Sequence, residues 1–359
     1  QQKRHVFSHF GAGSFVNGTD TYLSGNFILN PILFCRERDE VYRNFWFYPK
    51  VYIHENCKIT TPFDMLVNQI VERSRGDQRH GSCGVGINET VVRYRNYGIG
   101  HTITPKTIRS LDLKYLLTYQ RDIYLTKRLK ELGVSNISLN DLGVILSENI
   151  IDNWIAQVNE MMNYCQVVND DIVHDYDGLV FEGAQGLLLD EMYEEFAPYL
   201  TTSRTGIPGV NRVLYSAGLY DCRDIEMCFV SRTYFTRHGA GFFPTECSAK
   251  DLFGEDKQDA TNVWNEFQGS FRYGYFEEDR FRNVCNQEFK RAKRMYPYTK
   301  LSFAFTHADE TDGMVLESSG HKEIKDVISP LSPDCFYTSI GNTRQHVIET
   351  PLKTHRKSQ

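Results

Sequence analysis

Phe181-Glu182-Gly183-Ala184-Gln185-Gly186-Leu187-Leu188-Leu189-Asp190 continues the apolar triplet Leu179-Val180-Phe181 and passes through two glycines on either side of one glutamine. A short apolar run bounded by turn residues predicts a buried parallel strand, and glycines directly after it let the backbone approach a ligand closely. The Gln185 carboxamide offers a donor and an acceptor together, which suits the edge of a base. Further apolar runs at 227–230, 301–305 and 335–337 alternate with polar or Gly-rich loops and predict more strands of the same kind. Helical periodicity separates them. Leu113, Leu116, Leu117, Tyr124, Leu129 and Leu132 mark one helix, and Leu142, Ile145, Leu146, Val158 and Met161 mark a second that opens at Asn140. A third, over 281–295, puts Phe281, Val284, Cys285, Phe289 and Ala292 on one face and a basic, solvated face on the other. Strands alternating with helices predict an α/β fold with a mostly parallel sheet and flanking helices, its ligands at the carboxyl edge.

Composition narrows the class. The 359 residues are 41% hydrophobic and 24% charged, with a formal net charge of −6, so the chain is globular and lacks a global field for nucleic acid or anionic membrane. No apolar run reaches the 18 or so residues of a spanning helix, and the first residues carry no secretory core, so the chain reads as cytoplasmic. Nine cysteines without any C-x-x-C read as free thiols in a reducing compartment.

Three other segments join glycines to hydroxyls or guanidinium groups. Arg79-His80-Gly81-Ser82-Cys83-Gly84-Val85-Gly86 could converge N–H groups on an anion, or could be a tight structural turn. It is no Walker loop, because the chain contains no Gly-Lys dipeptide. Thr201-Thr202-Ser203-Arg204-Thr205-Gly206 suits phosphate oxygens, with a helix cap or hydroxyl turn as the alternative. Tyr234-Phe235-Thr236-Arg237-His238-Gly239-Ala240-Gly241-Phe242-Phe243-Pro244-Thr245-Glu246 combines Arg237, His238 and a Gly-x-Gly turn, which packing alone does not explain.

The strings FEGAQGLLLD, TTSRTG and YFTRHGAGFFPTE, in this order, resemble the signatures of the adenylosuccinate synthetase family. HVFSHFGAG, SGNFILNP, GSCGVGI, NEFQGSFRYGYF, THAD and TSIGNTR extend the resemblance over nearly the whole chain. It implies the P-loop-GTPase-related adenylosuccinate synthetase fold over residues 1–359 as one domain, with the family's N-terminal P-loop region and its catalytic segment lying upstream of Gln1. The chemistry it implies is a two-step ligation. The γ-phosphate of GTP activates the 6-oxygen of a purine mononucleotide, and the amino group of aspartate then displaces that phosphate, with Mg2+ as cofactor.

Carried over residue by residue, Gln185 would hold the 6-oxo edge and Asn26 the activated 6-position. Ser82, with Cys83 beside it, and Thr201 would hold the nucleotide 5′-phosphate, and Arg237 the nucleotide side of the central loop. Arg272 would take the amino acid, and Asp309, His307, Ser339 and Gly341 the guanine of the donor; Asp309 could instead cap the turn toward Thr311. No metal ligand is assigned. A homodimer is implied, in which Arg93 or Arg95 reaches the partner subunit's nucleotide phosphate. Cys83 stands at a family Thr, Val85 at an Arg and His307 at a Lys, and Arg272 is alone where the family has several arginines. The leading expectation is therefore a purine-nucleotide ligase acting on IMP or a related 6-oxopurine nucleotide. The alternatives are a phage-type enzyme joining aspartate to dGMP, and a non-catalytic nucleotide-binding paralogue.

Overall fold

The computed structural model describes residues 3–98, 102–257, 259 and 261–352. They divide into two compact units, Gln1–Gly218 and Leu219–Gln359. In the first, β1 (Thr21–Leu23) and β2 (Ile28–Leu29) lead into α1 (Pro31–Phe45), followed by β3 (Val51–His54), β4 (Lys58–Ile59), α2 (Pro62–Arg75) and α3 (Ile87–Asn96). Then come α4 (Leu113–Tyr119), α5 (Thr126–Glu131), α6 (Leu139–Ile145), α7 (Glu148–Tyr164), β5 (Gln166–Val168) and α8 (Ile207–Ser216). Two parallel ladders form, in the orders β1-β3-β5 and β2-β4.

Caps explain where the helices begin. Asn30 accepts the N–H groups of Ile32 and Leu33 ahead of Pro31 in α1, and Thr61 with Asp64 closes a reciprocal capping box ahead of Pro62 in α2. Gly86 opens α3 at φ +80°, where a Cβ would lie 2.8 Å from the backbone of Asp64 and Met65, so only glycine lets α3 approach α2 this closely. The core gathers Leu29, Phe34, Ile53, Ile59, Phe63, Val67, Leu117, Ile151, Trp154 and Val158, each nearly or fully inaccessible. Each such side chain contributes roughly 1.5–3 kcal/mol of apolar burial. Trp154 also donates its indole N–H to the carbonyl of Thr60 at 3.0 Å.

Two expectations for this unit are corrected. The helix expected to open at Asn140 is two helices, α6 capped by Ser138 and α7 after a break at Leu146–Ser147; the apolar stripe continues across the break, so periodicity alone hides it. Residues 179–181 form no strand, and Val180 is 88% exposed. A strand exists only with a backbone partner, and among the described residues none runs alongside these three. The helix over 113–132 is present, interrupted by a π-helical stretch at Gln120–Leu125.

In the second unit β6 (Glu226–Arg232), β7 (Phe235–Arg237), β8 (Glu246–Cys247), α9 (Ala249–Phe253), β9 (Arg272–Gly274), α10 (Glu278–Met295) and β10 (Lys300–Thr306) come first. β11 (Met314–Glu317), β12 (Gly320–Glu323), α11 (Ile324–Ile328), β13 (Cys335–Ser339) and β14 (Val347–Pro351) complete it. The main sheet has the order β14-β13-β10-β6, parallel except at β14, and the strands expected over 227–230, 301–305 and 335–337 are its β6, β10 and β13. The expected face of α10 is buried at Phe281, Cys285 and Ala292, with Glu288 buried among them and ion-paired to Arg291. Among the described residues no helix is long and apolar enough to cross a membrane, and all nine cysteines are free thiols.

Candidate functional site

Asp190, the last residue of the Gln-loop segment, is 3% exposed and organises the hydroxyl loop. Its carboxylate accepts the N–H of Thr205 at 2.7 Å and the guanidinium of Arg204 at 3.3 Å, while the N–H of Thr201 donates to the carbonyl of Leu189 at 2.7 Å. A Cβ at Gly183 would lie 3.1 Å from the carbonyl of Thr205, so the segment carrying Gln185 lies close against the loop carrying Thr201. Gln185 itself is exposed, and Thr201 accepts the N–H of Ser203 at 3.4 Å, the hydroxyl turn weighed as its alternative role. His80 packs edge-on against Tyr199 at 5.6 Å, which brings the glycine segment to the same place. From the other side, Asn26 donates to the carbonyl of Gly209 at 3.0 Å and accepts from Arg212 at 2.8 Å, tying β2 to the first turns of α8.

The glycine segment follows α2 and a 3-10 turn at Gly76–Gln78. Its converging N–H groups already have an anion. The buried carboxylate of Glu72 accepts from Gly81 at 2.7 Å, from Ser82 at 3.3 Å and from His80 at 3.4 Å, which favours the structural turn. Ser82 accepts from Asn68 at 2.7 Å and keeps its own proton to donate, and the Cys83 thiol is exposed.

Of the two arginines considered for a neighbouring nucleotide, Arg93 is fully buried. Its guanidinium bonds both oxygens of Asp64 at 2.8 and 2.9 Å and the carbonyl of Ile59 at 2.8 Å. A group so enclosed reaches no ligand, which is a correction for Arg93. Arg95, two positions on, is 59% exposed, with Glu191 at 3.8 Å.

In the second unit the antiparallel pair β7–β9 sets Arg237 opposite Arg272. Arg237 donates to the carbonyl of Ala240 at 3.1 Å. Arg272 donates to the carbonyls of Gly239 at 3.0 Å and Gly241 at 2.9 Å, forms a fork with Glu246, and lies 5.6 Å from the centre of the Phe243 ring. Both guanidinium groups thus shape the Gly-x-Gly loop. Glu246 is drawn below the usual carboxylate range chiefly by its hydrogen bond from Arg272.

His307 and Asp309 follow β10, and Ser339 ends the adjacent parallel strand β13, so all three lie at one carboxyl edge. The Asp309 carboxylate is exposed and does not cap the turn, since the N–H of Thr311 bonds the carbonyl of Ala308. Ser339 donates to the carbonyl of Gly341 at 3.0 Å, and any Cβ at Gly341 would overlap the His346 ring at 2.5 Å. Burial, helped by Arg232, lowers the His307 imidazole below its ordinary range against the pull of Glu310, Asp259 and Asp309, so it is neutral at pH 7.

A network that sequence reasoning missed surrounds this edge. Arg232 bonds Asp259 at 2.9 Å and Tyr234 at 3.0 Å, Tyr234 donates to Glu310, and Lys257 pairs with Glu310 at 2.9 Å. Burial alone would raise the Asp259 carboxyl, but the N–H groups of Asn262 and Thr261, with Arg232, outweigh it and hold it at about 2. No motif marks these residues except Tyr234, which opens the long loop segment.

The geometry accords with comparisons to known proteins. The adenylosuccinate synthetase family model matches residues 1–284. The adenylosuccinate synthetase of Tolumonas auensis is 27% identical over 253 residues, covering 68% of this chain and 54% of the relative. That of Pseudoalteromonas atlantica is 31% identical over 198 residues, 54% of this chain and 42% of the relative. The chain spans about half the length of the curated relatives it matches. Among solved structures, the cyanophage S-2L succinoaminodeoxyadenylate synthetase bound to dGMP and dATP as an energy donor has a TM-score of 0.54 at 14% identity, over 97% of this chain and 81% of that one, and so shares the fold. By its sequence motifs, its α/β architecture and the family match over most of its length, the chain belongs to the adenylosuccinate synthetase family.

Proposed function

We propose that the chain acts in a purine-nucleotide C–N ligase that joins aspartate, or a similar amino acid, to the 6-position of IMP or a related 6-oxopurine nucleotide. The observation that carries this reading is the junction of the Gln185 segment with the Thr201 loop, held by Asp190. An exposed carboxamide next to clustered hydroxyls supplies base-edge pairing and phosphate contacts side by side. A donor γ-phosphate passes to the 6-oxygen, leaving a nucleoside diphosphate. The amine then forms the C–N bond as the C–O bond breaks and inorganic phosphate departs. Gln185 orients the purine edge, and Thr201 and Ser82 donate to the 5′-phosphate. Arg272 would turn to the amino acid's carboxylate only by exchanging Glu246 for it. Arg95 is the arginine available to a partner subunit's nucleotide if the enzyme is a homodimer.

For the donor, the exposed Asp309 carboxylate matches the N1–H and 2-amino group of guanine, which supports GTP. Mg2+ is implied by the family; among the described residues no three His, Cys, Asp or Glu side chains converge as a cation cage, so these residues do not by themselves fit a metal site, and no step is assigned to one.

The second reading is dGMP as acceptor with an adenine nucleotide as donor. It is favoured by the structural neighbour bound to dGMP and dATP and by His307 at the family's Lys position. The test is an assay of succinyl-purine formation with IMP, GMP and dGMP, each with aspartate and with GTP, ATP or dATP. Turnover of IMP with GTP supports the first reading, and turnover of dGMP with dATP the second. Nucleotide binding with no product under any combination rejects catalysis. The Gln185→Leu protein should stay folded and lose about 1–3 kcal/mol of nucleotide affinity.

A further inference from the structure

Along α10 some cations are paired and others are not. Arg280 pairs with Glu277 at 2.9 Å, Arg282 with Glu278 and Arg291 with Glu288. Among the described residues Lys290, Lys293 and Arg294, in the last two turns, have no carboxylate within ion-pairing distance. Helical spacing sets these three on one stripe with Asn286 and Phe289, apart from the face that buries Phe281, Cys285 and Ala292. Arg282 fixes what lies across from the stripe. It donates to the carbonyls of Val327 at 2.6 Å and Asp326 at 2.8 Å, which holds the end of α11 and the 3-10 turn Ser329–Leu331 against α10. Pro330 and Leu331 of that turn and the stripe on α10 line a groove of about 490 Å3. The Lys293 ammonium stands 5.5 Å from the centre of the Phe289 ring, so charge and apolar surface lie side by side. The helix dipole accounts for cations in the last turn of α10, but not for Lys290 a turn earlier or for the apolar wall opposite. Three cations without a counter-charge are completed by an anion, and Phe289, Pro330 and Leu331 suit an apolar body attached to it. The volume of the groove is that of a small-molecule cleft. A nucleic acid or a membrane would need an extended basic surface, and the chain as a whole carries a charge of −6.

We propose that the groove between α10 and the Ser329–Leu331 turn binds a small organic phosphate ester, its phosphate among Lys290, Lys293 and Arg294 and its apolar part along Phe289, Pro330 and Leu331. None of these residues belongs to the sequence motifs that marked the nucleotide loops, and the groove stands independently of the ligase reading.

The test uses the full chain, titrated calorimetrically with 2-naphthyl phosphate, inorganic phosphate and 2-naphthol, with a thermal melt as the folding control. Wild type is compared with Lys293→Gln/Arg294→Gln, with the conservative Lys293→Arg/Arg294→Lys protein and with Leu331→Asn. A further variant, Lys127→Gln/Lys130→Gln, removes the same charge from α5. In wild type, 2-naphthyl phosphate should bind more tightly than either inorganic phosphate or 2-naphthol. The Gln pair on α10 should lose about ten-fold or more of that affinity, the conservative pair should restore it, and the pair on α5 should leave it unchanged. Leu331→Asn should bring 2-naphthyl phosphate down toward inorganic phosphate while leaving inorganic phosphate as it was. Equal affinity in wild type and the folded Gln pair, an equal loss in the α5 pair, or no effect of Leu331→Asn overturns the proposal. So does binding of an oligonucleotide or an anionic phospholipid vesicle by a protein that takes no 2-naphthyl phosphate.

Discussion

Arg93 and Arg95 sit two residues apart on α3 and face opposite fates. Arg93 is fully buried and fixed by Asp64, Thr90 joins the same carboxylate at 3.3 Å, and the Tyr124 hydroxyl reaches it at 3.4 Å. Arg95 is 59% exposed, with the Glu191 carboxylate at 3.8 Å. The first group is enclosed with its counter-charge; the second faces solvent. A cation enclosed with its counter-charge holds elements together, and one at the surface with a single carboxylate at 3.8 Å stays open to other partners. The distinction lies in the surroundings of the side chain, since its chemistry is the same in both.

The sharpest way to break this contrast is to remove one side of the enclosed pair. Asp64→Asn should cost about 3–5 kcal/mol in urea denaturation, because it leaves a guanidinium buried without its counter-charge. A loss below about 1 kcal/mol would show that the pair is dispensable. His9 gives the next largest effect. It is buried, accepts the N–H of Asn30 through Nε2 at 3.1 Å, and burial lowers its pKa to about 4 against the pull of Glu37. The unfolded chain takes up this proton below about pH 6.5 while the folded chain does so only near 4. Stability therefore falls as pH drops through that window, by up to about 3 kcal/mol, and levels off below it. His9→Gln should flatten this part of the pH profile of the melting temperature.

A smaller effect isolates the cap from the ion pair. Thr61→Ala removes one hydroxyl from Asp64 and should cost about 1 kcal/mol by the same denaturation measurement, leaving Arg93 paired. The smallest is expected on the open side: Arg95→Gln should change stability by no more than about 0.5 kcal/mol. A destabilisation as large as that of Asp64→Asn would place Arg95 with the structural group and erase the contrast.

The elements legible in the sequence are those whose partners are implied by their own pattern. β10 and α10 carry an apolar run and stripe that are buried at Leu301, Phe303 and Phe305 and at Phe281, Cys285 and Ala292. β6, by contrast, pairs with β10 although Cys228 and Val230 are exposed, against the expectation of a buried strand. The strand read at 179–181 failed because an apolar triplet does not state which backbone will pair with it. The glycine segment is the structural turn weighed for it: the anion that fills it is Glu72, whose place beside Gly81 is set by the path of α2 and leaves no local signal. The loops carrying Gln185 and Thr201 were singled out from motif, but their junction through Asp190 was not read from the sequence, because the aspartate's partner Thr205 lies 15 residues on. The pairing of Arg272 with Glu246, 26 residues away, and the bond from Arg212 to Asn26 depend on tertiary folding and leave no local signal.

Trp154, enclosed beneath Thr60, differs from the other two tryptophans of the chain in a way that can be seen with light. It is 1% exposed, whereas Trp46 and Trp264 are 73% and 65% exposed. Its emission belongs at the blue end of the spectrum and out of reach of a dissolved quencher such as iodide, while the other two emit further to the red and are quenched readily. In the quencher, the residual fluorescence is thus an intrinsic label for the core of residues 1–218, and its red shift on heating times the opening of that core without any added dye.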